Sequence, residues 1–311
     1  MKKEFKNCIL NDRKFNTHID IIGKASEGWS QPDVVKIKYE GKELIGYRKS
    51  TIILGEKNVI EIVLGKIGIA LGVSMADTVC VFSDNTYKNL TDIISISVVR
   101  GTHEYFINFR EMRDELFYDL QKGNISITPW ITRWMTIRKR KNELLKDIWD
   151  IKAVNDSDYY DSIQFAFEVG RLYIDKYKLK MHNFQSAYIK MIMFDILTGQ
   201  ADRTPSNYGL LINNNLSTAS LAPLFDNSTL TKPYMEKDEI NLNHIILKKE
   251  RVTQVLYDMY PNEFLNIKKQ ILEKSNELKG IIESESYLSK ENKKLMLNTI
   301  EEGLAIFERV G

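Results

Sequence analysis

Apolar positions along this chain change period several times, and the changes mark out its elements. His18–Ile22, the alternating run Asp33–Tyr39 and Glu43–Lys49, which follows a turn at Glu40-Gly41-Lys42, predict three short strands. Ile60, Leu64, Ile67 and Leu71 then recur at helical spacing, predicting a helix over Glu56–Leu71 closed by Gly72. A two-residue period returns at Thr78–Phe82 and Ile93–Val99 around a polar turn at Ser83-Asp84-Asn85, giving an expected five-stranded unit. From Arg110 the period is helical: Glu111–Gln121 ending at Gly123, Ile131–Trp149 after Pro129, Ser162–Tyr177, and Asn183–Thr198. Asn155-Asp156-Ser157-Asp158 reads as a turn with capping residues. Two further strands, Tyr208–Ile212 and Ala219–Leu224, flank the polar turn Asn213-Asn214-Asn215. Beyond about Lys249 the pattern is helical again, with a break at Pro261 and a last helix from Ser289 to Val310 that opens Ser-Lys-Glu-Asn.

Strands gathered early and helices late predict an α+β chain of two parts, 1–107 and 108–311. A length of 311 residues with 43% hydrophobic content is enough for two modest cores. The 44 basic residues nearly cancel the 42 acidic ones, so no global field points to nucleic acid or a membrane as partner. Cys8 and Cys80 are the 2 cysteines, far apart in sequence and without metal-ligand spacing, which indicates neither a disulfide framework nor a zinc site. No stretch is long and apolar enough for a signal peptide or a membrane span, so the expected location is the cytoplasm.

The richest chemistry lies in Met193–Asp226, MFDILTGQADRTPSNYGLLINNNLSTASLAPLFD. An apolar helix ends at Gly199, a short loop offers Asp202 and Asn207, and Asp226 follows the two strands. If those strands pair, Asn207 enters one and Asp226 leaves the other at the same end, where both could face one ligand. Phosphoryl transfer asks for a carboxylate near the attacking hydroxyl and for oxygen ligands to magnesium on a rigid support. The spacing Asp-x-x-x-x-Asn of Asp202 and Asn207 is the one a kinase catalytic loop uses for those two jobs.

The segments LTGQADRTPSNYGLLI and LAPLFDN resemble the HipA-like kinases, in particular short Firmicutes-type members that lack the amino-terminal extension, and more distantly the phosphatidylinositol 4-kinases. That family carries Gly-x-x-Asp-Arg-His-x-x-Asn followed by Pro-x-Tyr/Phe-Asp; this chain matches at Gly199, Asp202, Arg203, Asn207, Pro223, Phe225 and Asp226, and has Thr204 where the histidine usually stands. The resemblance implies a bilobed protein-kinase-like fold, with a small strand-rich lobe, a large helical lobe and ATP between them. It implies Asp202 as the catalytic carboxylate, Asn207 and Asp226 as magnesium ligands, and adenine at the crossing Ile94–Phe106.

A kinase also needs a lysine on the phosphates and a helical glutamate to hold it. Lys49 and Glu61 have the right types and order, with Lys36, Lys38 and Arg48 as rivals for the lysine role. The loop Gly23–Gln31 supplies Gly28 and Ser30 as candidates to cover phosphate, and the resemblance makes Ser26 or Ser30 a candidate for autophosphorylation. Arg133–Lys146 is the densest basic stretch, either a solvated helix face or a docking strip for an acidic partner, with Trp130, Trp134 and Trp149 read as packing residues. His103 reads as a surface histidine, Asp195 as a helix-face charge, Arg203 as the partner of a loop carboxylate, of a phosphorylated residue or of a plain salt bridge, and the segment after Asp226 as an activation-type loop or a linker. The expected activity is transfer of the γ-phosphoryl of ATP to a protein serine or threonine, its own included; the alternatives are a nucleotide-binding pseudokinase acting as an interaction module, and a lipid or small-molecule kinase.

Overall fold

The computed structural model describes residues 6–9, 19–24, 33–39, 42–50, 56–85, 90–101, 104–123, 151–153, 155–181, 183–213, 215, 217–227, 230 and 235–311. Six early strands form one antiparallel sheet: β1 (Lys6–Ile9), β2 (Ile19–Lys24), β3 (Asp33–Tyr39), β4 (Lys42–Ser50), β5 (Asp77–Asn85) and β6 (Leu90–Gly101), in the order β1-β5-β6-β4-β3-β2. The expected five strands become six because β1 spans only four residues, too few to show a period, and is placed by pairing with β5. That register sets Cys8 opposite Cys80, so cysteines distant in sequence are cross-strand partners. Ser83-Asp84-Asn85, expected as a turn, continues β5 and pairs with β6 as far as Asn85↔Leu90.

Helix α1 (Lys57–Ala70) fills the predicted interval, and Gly72 follows it at φ +67, the left-handed conformation that ends many helices. Val59, Ile60, Ile62, Val63, Leu64 and Ile67 are all buried, so apolar side chains cover most of the helix surface rather than one stripe. Strand β7 (Glu104–Asn108) pairs with β9 (Gly209–Asn213), and β9 pairs with β10 (Thr218–Leu221) in the expected hairpin, in the order β10-β9-β7. The early part of the chain is thereby stitched to the segment that carries Asp202 and Asn207.

Helix α2 (Phe109–Gln121) starts on a capping box between Asn108 and Glu111. Helix α3 (Asp156–Lys176) begins at Asp156 rather than at Ser162, because Asn155 and Asp158 form a second capping box in the stretch read as a turn. Helix α4 (Phe184–Thr198) is the centre of the core: Tyr188, Ile189, Met191, Ile192, Met193, Phe194, Ile196 and Leu197 are buried on every side. The predicted helix Ile131–Trp149, with Trp130, Trp134 and the basic run Arg133–Lys146, lies outside the described residues, as does His103.

The stretch after Asp226 contains regular structure that the sequence reading passed over. β11 (Glu239–Leu242) and β12 (Ile245–Lys248) form an antiparallel hairpin, joined in parallel to β8 (Ile151–Lys152). The hairpin turns on Asn243 and His244, both left-handed at φ +57 and +66, a two-residue turn that normally advertises itself with glycine. Helices α5 (Lys249–Met259), α6 (Pro261–Glu273), α7 (Ser275–Ser284) and α8 (Lys290–Arg309) complete the chain, with Pro261 opening α6 and Ser289 capping α8. Among the described residues no helix is long and apolar enough to cross a membrane.

Candidate active site

The site starts where α4 stops. Gly199 takes φ +67, and a Cβ there would lie 2.6 Å from the Thr299 Cγ2 of α8, so both backbone and space call for glycine. The next amide, of Gln200, donates to the Asp195 carbonyl at 3.0 Å and turns the chain into the loop that bears Asp202 and Asn207.

Arg203 is the hub of that loop. Its Nε and Nη2 donate to the two carboxylate oxygens of Asp195 at 2.9 and 2.8 Å; Nη2 also donates to Asn227 Oδ1 at 2.7 Å, and Nη1 to the Asn207 carbonyl at 3.2 Å. The guanidinium is 0% exposed and the Asp195 side chain 2%. Burial works against the arginine's charge, but the adjacent Asp195 outweighs it and holds Arg203 more firmly protonated. Burial also lifts the Asp195 carboxyl, with Arg203 opposing; two charge-assisted bonds to a group that does not deprotonate make the pair ionic. Asp195 is therefore not the exposed helix-face charge expected. Its all-apolar surroundings, MIMFDILT, were the available signal, since a carboxylate in such a helix must find a partner. Of the three partners open to Arg203, the structure has the internal salt bridge.

Asn207 and Asp202 are tied to each other and to the scaffold. Asn207 Nδ2 donates to the Asp202 carbonyl at 2.8 Å, which leaves Oδ1 as the amide's remaining ligating atom. Both residues are half-buried, so their side chains retain access to solvent. Behind them the Tyr208 ring stacks on Phe109 at 5.1 Å, and the Tyr208 hydroxyl donates to Asn243 Oδ1 at the tip of the β11–β12 hairpin. Asn243 also donates its Nδ2 to the Ser162 carbonyl at 2.9 Å and its backbone N–H to the Arg203 carbonyl at 3.2 Å. The amides of Phe109 and Arg110, at the start of α2, donate to the carbonyls of Tyr208 and Pro205. The loop thus satisfies helix-end donors that would otherwise lack partners. A Cβ at Gly209 would meet the Ile107 carbonyl oxygen at 2.0 Å, so β7 and β9 approach this closely only with glycine there.

Asp226 is held near the same arginine by another route. The chain leaves β10 and runs beside the turn after α1: the Leu224 amide donates to the Ser74 carbonyl at 2.8 Å, and the Ala76 amide to the Leu224 carbonyl at 2.9 Å. The Phe225 ring packs edge-on against Phe106 of β7 at 5.6 Å. Asp226 adopts φ +55, a left-handed conformation that costs a non-glycine residue on the order of 1 kcal/mol. Its N–H donates to Glu61 Oε1 at 2.8 Å and its carbonyl accepts from Gln200 Nε2 at 2.9 Å. The next residue, Asn227, holds Arg203, and the Asp226 charge lies within electrostatic reach of the same guanidinium. Asp202, Asn207 and Asp226 are therefore linked through one buried arginine.

The other candidates divide. Glu61 is buried in α1 and its carboxylate accepts from the Asp226 amide, a partner the sequence did not suggest. Lys49 lies in β4, where its backbone pairs with Ser95, and its side chain lies outside what the structure describes. Gly28, Ser30 and Ser26 lie outside the described residues. Among the rivals for the lysine role, Lys36 is ion-paired with Glu43 at 2.8 Å.

Among the described residues no three His, Cys, Asp or Glu side chains gather into a metal cluster. Magnesium does not need one: it takes hard oxygen ligands, keeps several waters, and commonly uses one or two protein ligands together with substrate phosphates. One amide oxygen from Asn207 and the Asp226 carboxylate, both half-buried, are a donor set that fits it.

No protein-family model matches the chain, and no curated protein matches it. Solved structures do. The crystal structure of CtkA, a proinflammatory kinase of Helicobacter pylori, superposes with a TM-score of 0.52 at 14% identity, covering 88% of this chain and 90% of that one. HipA, from the toxin–antitoxin complex of HipA, HipB and operator DNA of Shewanella oneidensis MR-1, gives a TM-score of 0.48 at 10% identity, over 99% of this chain and 72% of that one. The fold likeness is taken from CtkA alone, and at this identity it speaks to the fold and not to activity.

Proposed function

We propose that this chain is an ATP-dependent kinase that transfers the γ-phosphoryl group to a serine or threonine hydroxyl of a protein, its own chain included. Asp202 accepts the hydroxyl proton as the acceptor oxygen bonds to the γ-phosphorus and the bond from that phosphorus to the bridging oxygen breaks, leaving ADP. Asn207 Oδ1 and the Asp226 carboxylate hold magnesium, which neutralises charge on the phosphates when bound. Lys49 contacts the phosphates, and Gly28 and Ser30 belong to the loop that covers them.

One observation carries this reading: the Arg203 guanidinium, next to Asp202, binds Asp195, the Asn207 carbonyl and the side chain of Asn227, the neighbour of Asp226, so one buried arginine ties the backbone segments that bear the three candidates. The same network supports the reading in spite of Thr204, because the loop is braced by arginine and by Asn243 without a histidine at that position. The fold shared with a structure described as a kinase adds to it.

The test is incubation of the native chain and of Asp202→Ala and Asp226→Ala with Mg-ATP, followed by intact mass and phosphopeptide mapping, alone and with protein acceptors. The native chain should gain phosphate or pass it on, and neither variant should. ATP binding with no phosphate turnover on any protein or lipid acceptor would overturn the kinase reading in favour of a nucleotide-binding module.

A further inference from the structure

Asp226 is gripped on both sides of its own peptide units, and neither grip comes from its hairpin. Its N–H donates to Glu61 of α1 at 2.8 Å, and its carbonyl accepts from Gln200, just past α4, at 2.9 Å. Both partners are core residues, Glu61 at 2% exposure and Gln200 at 0%. The residue between them sits at φ +55, a left-handed conformation that aspartate adopts more readily than most residues yet still at some cost. Gln200 shows a further oddity: its Oε1 is buried with no hydrogen-bond partner among the described residues. A side chain chosen for stability alone would not leave an acceptor orphaned in the core, because such groups are normally satisfied. Its Nε2, by contrast, donates to the Asp226 carbonyl.

We infer that Gln200 and Glu61 are positioning residues that clamp the Asp226 peptide in its left-handed conformation and so aim the Asp226 carboxylate at the magnesium site. The inference rests on the kinase reading for what Asp226 holds, and adds which residues keep it there. The clamp joins α1, the end of α4 and the metal-bearing segment, three elements with no covalent reason to move together.

Gln200→Met separates this role from a structural one. Methionine fills nearly the same volume, removes the donor to Asp226 and also removes the orphaned acceptor, so the carbonyl left without its donor is offset and the melting temperature should hold. The measurement is binding of Mn2+, as a paramagnetic stand-in for magnesium, to native protein and to Gln200→Met in the presence of a non-hydrolysable ATP analogue, together with thermal melting. The expected result is Mn2+ binding at least ten-fold weaker in Gln200→Met with no fall in melting temperature. Gln200→Asn, which keeps the amide but withdraws its reach by one methylene, should show the same loss and stands in should Gln200→Met not fold. Unchanged Mn2+ affinity in both variants overturns the clamp while leaving the kinase reading intact. Absence of any nucleotide-dependent Mn2+ binding in the native chain overturns both.

Discussion

Arg203 and Lys248 each contact more than one acceptor, but in opposite settings. Arg203 is 0% exposed beside Asp195 at 2%, whereas Lys248, at 40%, faces Glu236 and Asp238, each at 62%, and reaches the buried Glu239 at 3.4 Å. Around Lys248 water competes for the ammonium and for its two exposed partners, long side chains lose rotamer freedom to pair, and salt screens what is gained. Around Arg203 the charges are out of reach of water, and the guanidinium is met by Asp195, Asn227 and the Asn207 carbonyl. The lesson is that the many carboxylates and cations of this chain are not equivalent. One buried pair braces the candidate site, and the cluster around Lys248 lies on and beside the β11–β12 hairpin.

The largest effect should come from breaking the buried pair on one side. Arg203→Ala leaves Asp195 charged in the core and should cost about 3–5 kcal/mol in chemical denaturation. Replacing both partners, Arg203→Met with Asp195→Leu, should recover most of that stability. The double variant should still lack phosphotransfer, because the bonds to the Asn207 carbonyl and to Asn227 are gone as well. Recovery of activity along with stability would mean that Arg203 serves only the fold.

Next in size is Gly209→Ala, whose new Cβ would sit 2.0 Å from the Ile107 carbonyl oxygen, so that β7 and β9 must separate. A loss of about 1–3 kcal/mol in urea is expected. Smaller, and of opposite sign, is Lys249→Met. Burial holds the Lys249 amine below its ordinary 10.5, with Glu302 and Asp238 opposing. With the folded value below the unfolded one, the unfolded chain binds more protons between them, so native stability rises with pH through that window and this penalty is absent above 10.5. Lys249→Met should gain about 1 kcal/mol at neutral pH and lose that alkaline rise. Smallest is Lys248→Ala, which should lower stability by under about 1 kcal/mol and weaken the salt dependence, because Glu239 keeps Lys152 as a partner.

Much of this was legible in the sequence, for identifiable reasons. The hairpin that presents Asn207 and leads to Asp226 announced itself through a polar turn between two apolar runs, and α1, α2 and α4 through their periods and their closing glycines. What stayed hidden depends on contacts between distant residues. β1 is too short for a period, and the β11–β12 turn uses Asn243-His244, where a glycine would have signalled it. Glu61 was picked out for a lysine, and its bond to the Asp226 amide links positions that no local pattern connects. Gln200 carries no sequence signal at all, since a glutamine after a helix-ending glycine suits a solvated loop equally well. Asp195 could have been read: an aspartate inside an apolar buried stretch implies a buried cation, and Lys190 and Arg203 are the nearest along the chain, of which Arg203 is the one that binds it.

The central claim is that Asn207 and Asp226, held together through Arg203, take a magnesium ion carrying ATP. A crystal structure grown with magnesium and a non-hydrolysable ATP analogue addresses it most directly. The account predicts a metal about 2.0–2.1 Å from Asn207 Oδ1 and from an Asp226 carboxylate oxygen, with the remaining positions filled by phosphate oxygens and water. Nucleotide bound elsewhere, or bound here with the metal touching neither side chain, would contradict it.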